Sequence, residues 1–80
     1  MPVIFRENGF RFHFFSDEGD PLEPVHVHIT KDGLNAKFWL YPDVHLAYNY
    51  GFNGRILSDL GKMVEAHWQE IEEAWNDHFS

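Results

Sequence analysis

The residues best suited to chemistry are two histidines spaced two apart in the segment EPVHVHITKDG, residues 23–33. His26 and His28 lie in an apolar run that ends at Asp32-Gly33, a dipeptide typical of tight hairpin turns. Residues i and i+2 of a strand point to the same side, so both imidazoles would face one way. Imidazole is a common metal ligand and also a general acid or base. The spacing therefore leaves three alternatives open: a metal site, a catalytic pair or the polar face of a strand.

The surrounding segments predict a small antiparallel sheet that would position these histidines. Alternating apolar and polar runs between turn residues are typical of strands. The predicted strands cover residues 2–6, 10–16, 25–31 and 34–41, with tight turns at 7–9 and 32–33 and a polar loop at 17–24. Val44, Leu46 and Tyr48 alternate and indicate a fifth short strand, although Pro42 is equally compatible with an irregular edge.

From Asn53 onward the pattern changes to that of a helix, with Asn53 suited to cap its N-terminus. Apolar residues recur at steps of three and four: Leu57, Leu60, Val64, Trp68, Ile71, Trp75 and Phe79. Gly61 borders this stripe and would let the helix approach the sheet closely. We predict one long C-terminal helix over about 54–79. The predicted fold class is α+β, a single domain over 1–80 whose four to five strands, within 2–48, are covered on one face by that helix.

Counting residue pairs from the Asp32-Gly33 turn predicts which side chains share a face. The predicted pairs are Lys31 with Leu34, Ile29 with Ala36, His28 with Lys37, Val27 with Phe38 and His26 with Trp39. If the 17–24 loop closes symmetrically, Ser16 lies opposite Val25 and His13 opposite His28. The face left open by the helix would then carry His13, Phe15, His26, His28, Lys37 and Trp39.

A metal site is the first interpretation of this face. His26, His28 and His13 would supply three imidazoles, with Glu23 or Asp17 nearby, a set suited to Zn, Ni or non-haem Fe. Lys37 counts against it, because its ammonium would lie beside the cation. We therefore expect no resident cofactor and keep Zn or Ni as the metal alternatives.

A second interpretation is acid–base catalysis without metal. His26 and His28 could act as base and acid in phosphodiester transfer, with Lys37 stabilising the charged intermediate. Trp39 or Phe15 could stack a splayed base. This would make the protein a small His-dependent ribonuclease, although a flat sheet offers little pocket.

A third interpretation, which we favour, is recognition of another protein. Aromatic rings and imidazoles on an open sheet make a plausible binding hot spot with Trp39 as its anchor. Lys37, His13 and Phe15 would take part together with His26 and His28. Self-association into a homo-oligomer is compatible with the same surface.

Composition narrows the class of partner. The net charge is −7, from 13 acidic and 6 basic residues, and the basic residues are scattered. A DNA-tracking surface needs clustered Lys and Arg, so the balance disfavours DNA and, less strongly, RNA, and favours a basic protein. There is no cysteine, and no apolar run reaches the roughly 20 residues of a membrane span. We expect a cytoplasmic protein.

Several of these segments together resemble a small bacterial family described as domain of unknown function 4160. The matching pieces are GFRFHFFSDE (9–18), PVHVHI (24–29), AKFWL (36–40), NYGF (49–52) and the helix that ends with Trp75 and Phe79. Its members are often encoded beside another small protein, in pairs that look like toxin–antitoxin modules. The resemblance implies a protein partner from a neighbouring gene in a bacterial or phage setting. It implies no catalytic residues.

The expectation from sequence is therefore a binding or regulatory module, one component of a toxin–antitoxin-like pair. It would act through the His/Trp/Lys sheet face or a free strand edge.

Overall fold

A computed structural model describes residues 3–15 and 23–79 of the chain. Five antiparallel strands form one sheet in the order of the sequence. The strands are β1 (Val3–Glu7), β2 (Phe10–His13), β3 (His26–Lys31), β4 (Leu34–Trp39) and β5 (His45–Tyr50), followed by helices α1 (Gly54–Ala66) and α2 (Trp68–Phe79). The predicted α+β class and the antiparallel sheet are confirmed, with all five strands present.

Two hairpin turns join β1 to β2 and β3 to β4 and set the pairing within each hairpin. Asn8-Gly9 and Asp32-Gly33 have positive φ at both positions, 54° and 83° in the first turn and 52° and 80° in the second. This backbone matches the twist of paired strands, and Asn, Asp and Gly tolerate it best. Every predicted pair between β3 and β4 is observed, and His13 lies opposite His28 as predicted. The predicted pairing of Ser16 lies outside the described residues.

The apolar core lies between one sheet face and the helices. Phe12, Ile29 and Ala36 form a cross-strand row on this face, and Val27 with Phe38 forms the next. All are buried. Gly61 of α1 lies over Phe38, where an added Cβ would be 3.6 Å from the ring. The period-two alternation of the strands thus assigns the helix-covered face correctly.

The prediction of one long helix is wrong, because the helical segment is divided at His67. Asn53 caps α1 as predicted, since its side chain accepts a hydrogen bond of 2.9 Å from the Ile56 amide. α1 ends at Ala66, and His67 leaves helical geometry with φ −106° and ψ 17°. The His67 ring stacks on Phe5 of β1 with centroids 4.0 Å apart. This contact with the sheet lies at the break between the two helices and was not visible in the helical periodicity.

The fifth strand forms, but its alternation differs from the prediction. Lys37 pairs with Tyr48 and Phe38 with Leu46, so Ala47 is an extra residue in a bulge. Leu46 and Tyr48 therefore point to opposite faces, although they are two apart. Among the described residues, no helix is long and apolar enough to cross a membrane.

Candidate functional site

The face of the sheet opposite α1, here called the histidine face, is organised in three cross-strand rows. Side chains paired across antiparallel strands point to the same side, so the register defines each row. The first row contains Arg6, Arg11, Thr30, Asn35 and Tyr50. The second contains His13, His28, Lys37 and Tyr48. The third contains His26, Trp39 and His45.

The prediction that this face is open is wrong for its histidines. His13 and His26 are 0% exposed and His28 is 4% exposed. Lys37 and Trp39 are part-buried, whereas Phe15 is 39% exposed. Strand alternation gives the side to which a residue points and carries no information about what packs over it.

His26 is held in a fixed orientation. Its Nδ1 lies 2.9 Å from the carbonyl oxygen of Pro24, and because a carbonyl only accepts, Nδ1 carries the proton. The ring meets Trp39 and Trp75 edge-on, with centroids 5.3 and 4.9 Å away. Trp75 belongs to α2, so that helix reaches the histidine at this end of the sheet. His26 therefore joins sheet and helix in the folded core.

His28 lies at the centre of the cluster. Its Nδ1 is hydrogen-bonded to the Tyr48 hydroxyl at 3.3 Å. The rings of Phe15, His26 and His13 surround it, with centroids 4.3, 5.1 and 5.8 Å away. This packing restricts the orientation of the imidazole.

Lys37 is engaged by neighbours on its own side of the sheet. Its ammonium lies 3.3 Å from a Glu23 carboxylate oxygen and 4.1 Å above the Trp39 ring. The same carboxylate is 4.0 Å from His26 Nδ1. These contacts neutralise the lysine locally and leave it poorly placed to stabilise charge on a substrate.

A cleft of about 270 Å³ opens at the end of the histidine face nearest the β3–β4 turn. It is lined by Arg11, Phe15, His28, Thr30, Gly33, Leu34 and Asn35. Of the six predicted site residues, only Phe15 and His28 line it. His13, His26, Lys37 and Trp39 do not.

Arg11, Thr30 and Asn35 line the cleft but were not predicted as site residues. The signal that could have found them is the register itself, because the same pairing that placed His13 opposite His28 also places Arg11 opposite Thr30. The Thr30 hydroxyl is buried and has no hydrogen-bond partner among residues 3–15 and 23–79. It is a polar atom at the cleft that the described fold does not use.

The histidine cluster does not form a recognisable metal centre in the part of the chain that the structure describes. No three His, Asp or Glu side chains there are grouped so that they could hold one ion. The rings of His13, His26 and His28 pack against one another and against aromatic neighbours. The predicted ligand set of His26, His28 and His13 stays a prediction.

A separate ionisable cluster lies on the helix side, at the junction of α1 and α2. His67 Nε2 is 3.0 Å from Glu7 and its Nδ1 is 2.9 Å from Glu70. The hydrogen bond to Glu70 is the main cause that raises the pKa of His67 above 6.5, and the bond to Glu7 adds to it. Partial burial acts in the opposite direction. The protonated ring can donate to both carboxylates, so it ties β1 to α2.

Comparison with known proteins gives one match. The family model described as domain of unknown function (DUF4160) matches residues 9–76. No curated protein and no solved structure matches the chain. The matched segment contains β2 through β5, α1 and most of α2, and therefore the whole cleft and the three buried histidines.

Proposed function

The chain belongs to the DUF4160 family, and from its geometry we propose that it is a binding and regulatory module that pairs strand β5 with a strand of a partner protein. The partner would be the other component of a toxin–antitoxin-like gene pair. The observation that carries the proposal is the chemistry of β5. It is an edge strand of the described sheet, with exposed apolar side chains and no charged Lys, Arg, Asp or Glu.

An edge strand presents unpaired backbone N–H and C=O groups that can add a further strand. In β5, Leu46 is 41% exposed and Tyr50 is 64% exposed. They point to opposite faces, because Leu46 pairs with Phe38 and Tyr50 pairs with Asn35. A strand added beside β5 would therefore cover one apolar side chain on each face.

The opposite edge of the sheet supports this choice by contrast. β1 carries Arg6 and Glu7, and charged residues on an edge strand discourage pairing with other chains. Each edge also has one bulge, after Val3 in β1 and at Ala47 in β5. Since both edges have a bulge, charge is what distinguishes them, and β5 is the less protected edge.

The net charge of −7 supports a partner of basic overall charge. Opposite net charges accelerate encounter between two proteins, and the effect weakens as salt is added. The family resemblance suggests where to look for such a protein, in the neighbouring gene.

The proposal is tested by co-purifying the chain with the product of the neighbouring gene. Leu46→Lys and Tyr50→Lys place a charge on the β5 edge and should abolish recovery of the complex. Val3→Lys is the matched control, because Val3 is 39% exposed on the other edge strand. It should leave recovery unchanged.

Two results would contradict this function. One is a monodisperse monomer from which no partner is recovered in cells. The other is a homodimer that the Leu46→Lys substitution dissociates, since β5 would then pair with a second copy of the chain.

The acid–base alternative has weaker support from the geometry. It requires His26, His28 and Lys37 at one accessible place. His26 is buried with Nδ1 bonded to Pro24, and Lys37 is paired with Glu23. Of the three, only His28 lines the cleft.

A further inference from the structure

We propose that the cleft on the histidine face binds a nucleoside phosphate, with the phosphate held by Arg11 and Arg6 and the base resting against Phe15. The proposal concerns a small ligand in the cleft over β2, β3 and β4, with Arg6 of β1 opposite Arg11. It does not depend on the partner proposed for the β5 edge.

Two arginines form an arrangement of like charges that the fold does not explain. Arg6 and Arg11 are directly opposite each other on β1 and β2. Opposed residues have Cβ atoms roughly 4.5–5.5 Å apart, and like charges in this position are destabilising. Both residues are exposed, and neither has an ion pair or a hydrogen bond among the described residues. In a chain of net charge −7, two opposed arginines without a carboxylate partner among the described residues suit an anionic ligand.

A polar lining continues from Arg11 along the cleft. Thr30 and Asn35 follow Arg11 in the same cross-strand row, and all three line the cleft. Thr30 offers a buried hydroxyl without a hydrogen-bond partner among the described residues. Asn35 offers amide N–H groups. No carboxylate of the described chain lines the cleft, so its polar lining suits an acceptor-rich anion.

Phe15 forms an aromatic wall of the cleft. Phe15 is 39% exposed although its ring packs on His28 at 4.3 Å. Phe15 and Arg11 line the same cleft, and an aromatic ring together with a guanidinium is a combination that proteins use to stack a base while holding its phosphate. The cleft, about 270 Å³, lies near the lower end of small-molecule sites and suits a mononucleotide unit.

Phosphate fits the arginine pair better than a carboxylate does. A phosphate monoester carries nearly two negative charges at neutral pH and offers three acceptor oxygens, so it can engage both guanidinium groups. The same chemistry could come from a free nucleotide or from the phosphorylated end of a single-stranded RNA.

The test is a titration of the isolated full chain at low ionic strength, followed by backbone amide NMR shifts. The probes are the four nucleoside monophosphates, inorganic phosphate, a short single-stranded RNA with a terminal phosphate, and a polyglutamate peptide. We expect the nucleotides to shift the amides of Arg11, Phe15, Thr30 and Asn35. Equal affinity for nucleotide and RNA identifies a free nucleotide as the ligand, and tighter, salt-sensitive RNA binding identifies an RNA end.

Variants then assign the contacts. Arg11→Gln should weaken nucleotide binding roughly tenfold to a hundredfold, because it removes a charge-assisted hydrogen bond. Phe15→Leu should weaken nucleotide binding by roughly fivefold or more and leave phosphate binding unchanged. Arg55→Gln is the charge-matched control on α1 and should have no effect. A dispersed amide spectrum for each variant shows that it remains folded.

Three outcomes would overturn the proposal. The first is the absence of amide shifts with every nucleotide. The second is phosphate binding as tightly as the nucleotides, which removes the role of the base. The third is polyglutamate binding more tightly than any nucleotide, which would assign the arginine pair to an acidic peptide. Since no partner protein is present, none of these outcomes bears on the β5 edge.

Discussion

On the face under α1, Phe12 and Ile29 are buried among apolar neighbours, whereas the buried centre of the opposite face consists of His13, His26 and His28. Apolar burial requires only that the space be filled. Buried imidazoles also require partners for their ring nitrogens. His26 Nδ1 is hydrogen-bonded to the Pro24 carbonyl, and His28 Nδ1 is hydrogen-bonded to the Tyr48 hydroxyl. For His26 and His28, burial is therefore accompanied by directed contacts, whereas burial on the helix-covered face depends on volume.

The two faces should therefore tolerate different substitutions. A substitution on the helix-covered face should lower the free energy of unfolding according to the volume it removes. A substitution on the histidine face should lower the free energy of unfolding according to the hydrogen bond or ring contact that it breaks. The first three predictions below each compare two residues of one type that differ in burial or in bonding, and the fourth tests the charged contacts of the helix side.

The largest effect is expected from Phe12→Ala. Phe12 is fully buried and stacks on Phe5 with centroids 4.3 Å apart. The substitution should lower the free energy of unfolding by about 3–5 kcal/mol, measured by urea denaturation. Phe15→Ala is the control on the histidine face and should lower it by about 1 kcal/mol or less, because Phe15 is already substantially exposed.

A loss of that size could unfold a small domain outright. Phe12→Leu keeps most of the volume and should reduce stability by less, so it provides a second measurement. Equal losses for the Phe12 and Phe15 substitutions would show that the two faces do not differ in the way proposed.

The next effect separates burial from local bonding on the histidine face. His26 and His45 each begin a strand, and each directs Nδ1 at the carbonyl of the residue two positions earlier, at 2.9 and 2.8 Å. They lie in the same cross-strand row, but His26 is fully buried and His45 is exposed. His26→Ala should lower the free energy of unfolding by on the order of 2–3 kcal/mol.

His45→Ala should change the free energy of unfolding by no more than about 0.5 kcal/mol. Chemical denaturation of both variants gives the comparison directly. If the two losses are alike, the local hydrogen bond and not the packing of His26 is what stabilises the strand.

Register was the part of the fold that sequence predicted best. The Asp32-Gly33 turn and the matching apolar residues on both sides allow one alignment of β3 with β4, and that alignment is observed. The pairing of His13 with His28 also followed from symmetry of the loop between their strands. Both are local constraints, set by turn geometry and by the two-residue period of a strand.

Burial and bulges were not predictable in the same way. Alternation placed His13, His26 and His28 on one face but could not show that they are buried. The extra residue at Ala47 reverses the side to which Tyr48 points relative to Leu46, with no sequence marker. The break at His67 depends on its contacts with Glu7 and Phe5, which are some sixty residues earlier. These features arise from tertiary contacts, so local patterns do not reveal them.

A smaller effect is expected from the hydrogen bond that orients His28. Tyr48→Phe removes the hydroxyl that contacts His28 Nδ1 and should lower the free energy of unfolding by about 1 kcal/mol. Tyr50→Phe is the matched control two residues later, because its hydroxyl has no hydrogen bond among the described residues. The control should be neutral in the same urea titration. A neutral Tyr48→Phe would mean that ring packing alone orients His28.

The smallest effect concerns the helix side, where His67 joins two elements through charge. The pKa of His67 is raised in the folded protein, mainly by the hydrogen bond to Glu70 and further by Glu7. A raised folded pKa means that protonation favours the folded state. The contribution of His67 is therefore fully present below pH 6.5, the ordinary value, and is lost as the pH rises through the folded pKa.

The measurement is the difference in free energy of unfolding between the natural chain and His67→Gln across this pH range. Because His67 and both carboxylates are partly exposed, solvent screens the ion pairs, and the difference should not exceed about 1 kcal/mol. It should shrink as pH rises and as salt is added. Glu70→Gln removes the largest cause of the raised pKa and should shift the loss to lower pH. A difference that is constant with pH would show that His67 holds β1 to α2 by stacking on Phe5 and not by its charge. Packing alone would then determine the stability of the helix side.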